Sequence, residues 1–155
     1  MKNFFVRFLI SCSCLLLLPE VLACDIITAR DTSSILDVAK SFGSASLDKD
    51  RDGDPMIVGR AKGYNYGITF HNCQGGKCDD ILLVVPFKSK QSPSLSKINT
   101  WNRTKRFGKA YLDRDGDPII DVSINLDYGI CKENLEDTFA IWMKVIHEFE
   151  KEMTE

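Results

Sequence analysis

Apolar residues recur at helical spacing in two parts of the chain. Near the C-terminus they follow one another at intervals of three and four, which predicts a long amphipathic helix with a buried stripe. The stripe comprises Leu135, Phe139, Trp142, Ile146, Phe149 and Met153. A shorter helix is predicted to begin at the candidate N-caps Asp31, Thr32 and Ser33 and to end at Gly43. Its apolar positions are Ile35, Leu36, Ala39 and Phe42.

Between these helices the apolar period changes to two, which indicates β-strands. Residues 64–70 alternate apolar and polar side chains, as in a half-buried strand. Residues 81–85 form an unbroken apolar run, which predicts a central strand covered on both faces. Two more strands are predicted at 109–113 and 118–126. Tight turns are predicted at Asp52-Gly53 and Gly75-Gly76.

A helix is also predicted between the two groups of strands. It would begin at Ser92, with Pro93 in its first turn, and end near Gly108. Its inward positions would be Leu95, Ile98 and Trp101. The chain is therefore predicted to have an α+β fold, an antiparallel sheet with flanking helices in the order α-β-β-β-α-β-β-α. The first run of strands would hold three or four members.

The N-terminal residues 1–23 have the three parts of a secretory signal peptide. Lys2 and Arg7 supply the positive region, residues 8–18 the apolar region, and Ala23 the small residue before cleavage. The apolar run is shorter than the about 20 residues that a membrane span needs. We therefore expect an exported, periplasmic protein whose residues 24–155 form a single domain without a transmembrane segment.

The charge of the expected mature chain bears on its partners. Removing Lys2, Arg7 and Glu20 from the 20 basic and 22 acidic residues leaves a net charge of −3. Nucleic-acid binding needs a concentrated basic surface that neutralises phosphates. An acidic exported domain is therefore not expected to bind nucleic acid.

Four cysteines remain after the leader, an even number that suggests disulfides in an exported chain. Cys73 and Cys78 end two predicted strands, so a bond across the hairpin is favoured over a zinc site, which would need two more soft ligands. Cys24 directly follows the cleavage site. It could carry a lipid anchor, or it could pair with Cys131, and the even count favours the pair.

The sequence Asp-Arg-Asp-Gly-Asp-Pro occurs twice, at 50–55 and 113–118. With Asp48, the first copy resembles the opening of a calcium loop, Asp-x-Asp-x-Asp-Gly. However, Gly59 stands where a calcium loop has its bidentate glutamate. A solvated hairpin turn is the favoured interpretation, and binding of Ca²⁺ or a small ligand is kept as the alternative function.

Catalytic chemistry is not indicated by any grouping of residues. His71 and His147 are the only histidines, and neither has a neighbouring nucleophile or carboxylate in a triad pattern. No cofactor fingerprint and no complete set of metal ligands is present, so neither a cofactor nor a metal is expected. The chain is predicted not to be an enzyme.

Several stretches resemble the YbjN family of bacterial proteins: residues 97–102, 106–113, 115–118 and 128–130, followed by a helix with Trp142. The residues that carry the family motif are Asn99, Trp101, Asn102, Arg106, Phe107 and Gly108. The resemblance implies a fold like that of type III secretion chaperones. It also implies a regulator of sensory transduction or of stress responses, without established catalysis.

These observations together predict a non-enzymatic exported protein of the bacterial envelope. We expect it to bind a protein partner in the envelope, or a second copy of itself, through the sheet face or a dimer surface. Tyr64, Tyr66 and Phe107 are candidates for exposed contact, although core packing is the more common fate of such residues.

Overall fold

The computed structural model describes residues 23–154, so nearly all of the predicted leader lies outside the described residues. Three helices and eight strands occur in this part of the chain. The helices are α1 Thr32–Phe42, α2 Leu95–Thr104 and α3 Lys132–Thr154. The strands are β1 Ile26–Ile27, β2 Ser44–Lys49, β3 Pro55–Ala61, β4 Tyr64–His71, β5 Asp80–Pro86, β6 Lys109–Leu112, β7 Pro118–Asn125 and β8 Ile130–Cys131.

Six of the strands form one antiparallel sheet in the order β2-β3-β4-β5-β7-β6. The α+β fold is thus confirmed, and the run of strands between the first two helices has four members. The remaining strands, β1 and β8, pair with each other in a separate two-stranded sheet. Each has only two residues, too few to show an alternating pattern, and neither was predicted.

Helix α3 provides most of the apolar surface that packs on the sheet. All six residues of its predicted stripe are buried, as is Met143 beside them. Aromatic edges and faces meet in this layer: the rings of Tyr66 and Trp142 are 5.4 Å apart and nearly perpendicular. The helical periodicity therefore identified the core-facing side of α3 correctly.

Of the three candidate N-caps, Asp31 is the residue that caps helix α1. The Asp31 carboxylate accepts hydrogen bonds from the backbone N–H of Ser34, at 3.1 Å, and from the hydroxyl groups of Ser33 and Ser34. These bonds, led by that from the Ser34 side chain, hold the pKa of Asp31 below its usual value. Gly43 follows the last residue of the helix, as predicted.

Helix α2 is shorter than predicted and begins later. Its N-cap is Ser94, whose hydroxyl accepts a hydrogen bond from the Lys97 N–H at 3.2 Å, and it ends at Thr104. The prediction that Leu95 points inward is wrong, since 70% of its surface is exposed. At about 100° per residue, Leu95 lies about 120° around the helix from Trp101 and falls outside the buried face.

Candidate functional site

One face of the six-stranded sheet is left open, since the described helices pack on the other face. In β5, Ile81 and Leu83 are fully buried in the core. Leu82 and Val84 alternate with them and lie half-buried on the open face. The prediction that this strand is covered on both faces is therefore wrong. Its apolar run reflects a core on one side and an apolar outer surface on the other.

The open face carries a groove at its centre. The sheet register aligns Val58, Gly67 and Val84 on three neighbouring strands. Gly67 has no side chain, so it leaves a depression between the two valines. The groove has a volume of about 710 Å³ and mostly apolar walls. It runs from Ser46 on β2 to Ile119 on β7.

A buried acid lies beside the groove, on the same face. Asp121 aligns with Val84 on one side and with Lys109 on the other, and it is only 2% exposed. The Lys109 ammonium is 3.2 Å from its carboxylate and 5.2 Å from the centre of the Tyr111 ring. Burial, and then the charge of Asp121, raise the pKa of the Tyr111 hydroxyl to about 12. The ion pair with Lys109 balances the charge of Asp121. Together the two residues give the apolar groove a polar border.

Strand β2 forms a free edge next to the groove. Asp50 N–H donates to the Asp54 carbonyl at 2.9 Å where β2 meets β3. Because such pairs alternate along an antiparallel ladder, the backbone groups of Ala45, Leu47 and Lys49 point away from β3. Lys49 N–H donates to Asp48 Oδ1 at 2.8 Å, so within residues 23–154 the backbone groups of Ala45 and Leu47 remain as the free donors and acceptors of this edge. The Leu47 side chain is 52% exposed and aligns with the core residue Ile57, so it lies on the face opposite the groove.

The opposite edge of the sheet, strand β6, is closed by Asn102 from α2. The Asn102 side chain donates to the Ala110 carbonyl at 2.9 Å and accepts from the Ala110 N–H at 2.8 Å. Its amide thus replaces a neighbouring strand at this residue. Position in the sequence could not reveal this role, because the bond depends on how α2 packs against β6.

The other residues of the family motif divide into buried and surface positions. Trp101 is buried and donates from its indole to the Gly108 carbonyl at 3.1 Å. Gly108 has a positive φ of 83°, and an added Cβ would lie 2.7 Å from the Ile120 side chain. Asn99 is exposed, while Arg106 lies over the 45% exposed ring of Phe107. Trp101, Asn102 and Gly108 therefore hold α2 and β6 together.

Two of the three aromatic residues considered for contact lie on the covered face. Tyr66 is 4% exposed and belongs to the core. Tyr64 is half-buried and donates from its hydroxyl to Glu150 at 2.7 Å, with His147 Nδ1 3.1 Å away. Burial, then Glu150, raise the pKa of Tyr64 to about 12. The Tyr64 hydroxyl therefore stays protonated at neutral pH.

The four cysteines form two disulfides, Cys73–Cys78 and Cys24–Cys131. The Cys24–Cys131 bond links the segment before β1 to the last residue of β8. Helix α3 begins at the next residue, Lys132. The first bond closes a hairpin in which Gln74 and Lys77 pair through their backbone groups.

The aspartate-rich turns use their carboxylates to bind their own backbone. Asp50 Oδ1 accepts from the N–H groups of Asp52 and Asp54, at 3.0 and 2.9 Å. Within residues 23–154, Asp48, Asp50 and Asp52 do not bring their ligand atoms within 4.8 Å of one another as a group. The Asp50 carboxylate thus binds the backbone of its own turn.

The architecture places this chain among small α+β domains in which helices cover one face of an antiparallel sheet. A family model described as "Putative bacterial sensory transduction regulator" matches residues 32–155, and the chain belongs to that family, YbjN. A search of curated proteins finds no match. Between residues 23 and 154, every helix is too short or too polar to cross a bilayer.

Proposed function

We propose that this protein is a non-enzymatic, exported regulator that binds an extended apolar segment of a partner protein on the open face of its sheet. The observation that carries the proposal is the apolar groove centred on Gly67, between Val58 and Val84. Contiguous exposed apolar surface is uncommon on soluble domains and often marks an interaction site.

The groove has the features of a peptide-binding surface rather than of an enzyme site. Its walls are mostly apolar, with the exposed Arg60 as the charged residue among those that line it, and the adjacent acid Asp121 is paired with Lys109. The family description, which names a regulator, agrees with this interpretation.

The free edge of β2 supplies the second means of binding. An extended segment that adds to a sheet edge gains backbone hydrogen bonds, and its alternate side chains reach the adjoining face. A segment placed along Ala45–Leu47–Lys49 would send every second side chain toward Ser46 and Val58 at the start of the groove. A second copy of the chain could use the same edge, in line with the dimer that the sequence suggested.

The disulfides support export. Disulfides persist in oxidising compartments such as the periplasm and are rare in the cytosol. The thiol of Cys24 is engaged by Cys131, which favours a mature chain without a lipid on that residue.

The groove is tested by placing a charge in it. Val58→Asp is expected to weaken binding of a fluorescently labelled, reduced and carboxymethylated polypeptide by at least about tenfold. Burying a valine stabilises a complex by roughly 1.5 kcal/mol or more, and an unpaired carboxylate opposes burial. Fluorescence anisotropy measures the dissociation constant.

Leu95→Asp is the matched control, because Leu95 is an exposed apolar residue on α2 outside the groove. It should leave the affinity unchanged, and circular dichroism should show both variants folded. Equal affinity of the two folded variants would contradict the proposal. Analytical ultracentrifugation tests whether a second copy of the chain occupies the β2 edge instead. A dimer that dissociates in the Leu47→Glu variant would indicate that it does.

A further inference from the structure

The structure places a carboxylate next to the hairpin disulfide. One oxygen of Asp54 and the sulfur atoms of Cys73 and Cys78 all lie within 4.8 Å of one another. Cys78 is buried, and the other two residues are half-buried. Asp54 comes from the turn between β2 and β3, whereas the cysteines flank the hairpin between β4 and β5. No sequence pattern indicates this proximity.

The Asp54 carboxylate is otherwise unengaged. It makes no side-chain hydrogen bond or ion pair with the part of the chain that the structure describes. The equivalent residue of the second turn, Asp117, binds both the Lys88 ammonium and the Ser89 N–H. Two turns of the same sequence therefore present the same carboxylate in different ways: one is paired, and the other faces two sulfur atoms.

We propose that Cys73, Cys78 and Asp54 form a binding site for a zinc-class divalent cation when the disulfide is reduced. Thiolates with one carboxylate are a ligand set that Zn²⁺ accepts. Four residues separate the cysteines, which is within the spacing of zinc-binding hairpins. In a tetrahedral site with 2.3 Å bonds, the sulfur atoms would be about 3.8 Å apart.

The hairpin can keep the two cysteines together without their bond. Gln74 N–H donates to the Lys77 carbonyl at 2.8 Å, and Lys77 N–H donates back at 3.2 Å. Cys78 is also anchored in the core. Only a small separation of the sulfur atoms is then required. Water, or a ligand from a partner protein, would occupy the fourth position.

Reduction of the Cys73–Cys78 disulfide needs an external reductant. A dithiol transfers two electrons and two protons to the disulfide, giving two protein thiols and its own cyclic disulfide. Cation binding then releases the two thiol protons, because the thiolates are the ligands.

The test is a Co²⁺ titration of the full mature protein, reduced with dithiothreitol and desalted without oxygen. The expected result is a thiolate-to-cobalt absorption band that saturates at one equivalent and is lost when Zn²⁺ is added. The oxidised protein should give no band. Absence of the band from the reduced protein would overturn the proposal.

Matched variants identify the ligands. Cys73→Ser/Cys78→Ser should abolish the band, which excludes binding by Cys24 and Cys131. Asp54→Asn should weaken Co²⁺ binding by at least about tenfold, the smallest loss that altered partners of a metal site usually cause. Asp117→Asn, the same change in the second turn, should leave the affinity unaltered. Equal Co²⁺ affinities of Asp54→Asn and Asp117→Asn would overturn the proposed site. Equal affinities are also what an unfolded chain that binds Co²⁺ only through its thiols would give.

Discussion

The two Asp-Arg-Asp-Gly-Asp-Pro turns have the same local structure in different surroundings. In each turn the first aspartate accepts hydrogen bonds from the same two N–H groups, with distances between 2.8 and 3.0 Å. In each, its own N–H donates to the carbonyl of the third aspartate at 2.9 Å. Beyond the backbone the turns diverge: the first lies beside a disulfide, and the second packs against the segment before α2.

The short sequence determines the form of the turn, and its neighbours in the fold determine what its side chains contact. Six residues are enough to form the turn, because all of its hydrogen bonds are local. The role of the third aspartate is decided by residues far along the chain. Asp117 pairs with Lys88, whereas Asp54 lies beside the two cysteines.

The largest expected difference between the turns is at their glycines. Both have φ near 85°, a conformation that costs a residue with a side chain about 1–2 kcal/mol. Gly53→Ala should lower the free energy of unfolding by this amount, since nothing lies within 4 Å of its added Cβ. Gly116→Ala should cost about 1 kcal/mol more, as expected for overpacking, because its Cβ would be 2.3 Å from the Ser92 hydroxyl.

Urea unfolding measures both losses. Ser92→Ala serves as the control background, since it removes the hydroxyl and should reduce the extra cost at Gly116 without affecting Gly53. If the two glycine variants lost equal stability, the surroundings of the second turn would not constrain it as described.

A smaller effect is expected at the first aspartate of each turn, and here the turns should behave alike. Asp50→Ala and Asp113→Ala each remove the acceptor of two backbone N–H groups. Each should lower the free energy of unfolding by about 1–2 kcal/mol, the usual effect of losing such a cap. Asp→Asn at the same positions retains an acceptor and should lose less. Clearly unequal losses from the two alanine variants would show that the turns are not energetically equivalent.

The smallest effect concerns pH. The Lys88 ammonium, followed by the Ser89 N–H, holds the pKa of Asp117 below 3.8. A carboxyl whose pKa is lowered by folding stabilises the protein above its unfolded pKa, and this stabilisation is lost as the pH falls through the folded pKa. The stability difference between the wild type and Asp117→Asn should therefore be largest near pH 7 and shrink below about pH 4.

Lys88→Ala is the control for this prediction. It should reproduce the loss of unfolding free energy that Asp117→Asn shows near neutral pH. Asp54→Asn removes no ion pair and should not reproduce this loss. Because Lys88 is exposed, the whole effect should weaken with added salt. A stability difference that does not vary between pH 7 and pH 3 would contradict the assigned ion pair.

Sequence patterns predicted the elements that have a clear period. The stripe of α3 and the alternation of β4 were correct, because burial on one side of a long regular element leaves a repeated signal. The start of α2 was wrong because Ser92 and Ser94 are both acceptable caps. Pro93, which lies between them, is buried and precedes the helix.

The sequence predicted binding through a sheet face or a dimer surface, but it did not identify which residues form that face, for a related reason. The apolar run of β5 is compatible with burial on both faces and also with an apolar surface on one of them. Only the positions of the helices distinguish these cases. Two of the aromatic residues that the sequence suggested for contact, Tyr64 and Tyr66, lie on the covered face.

By itself, the sequence determined the α+β class, the main helices and strands, the local form of the two aspartate turns and the family. These features follow from short-range periodicity, capping and turn chemistry. The tertiary structure alone decided which sheet face is open, that Asn102 closes the edge at β6, and that Asp54 faces Cys73 and Cys78. Each of these depends on residues from separate elements, which are brought together by packing and leave no local pattern.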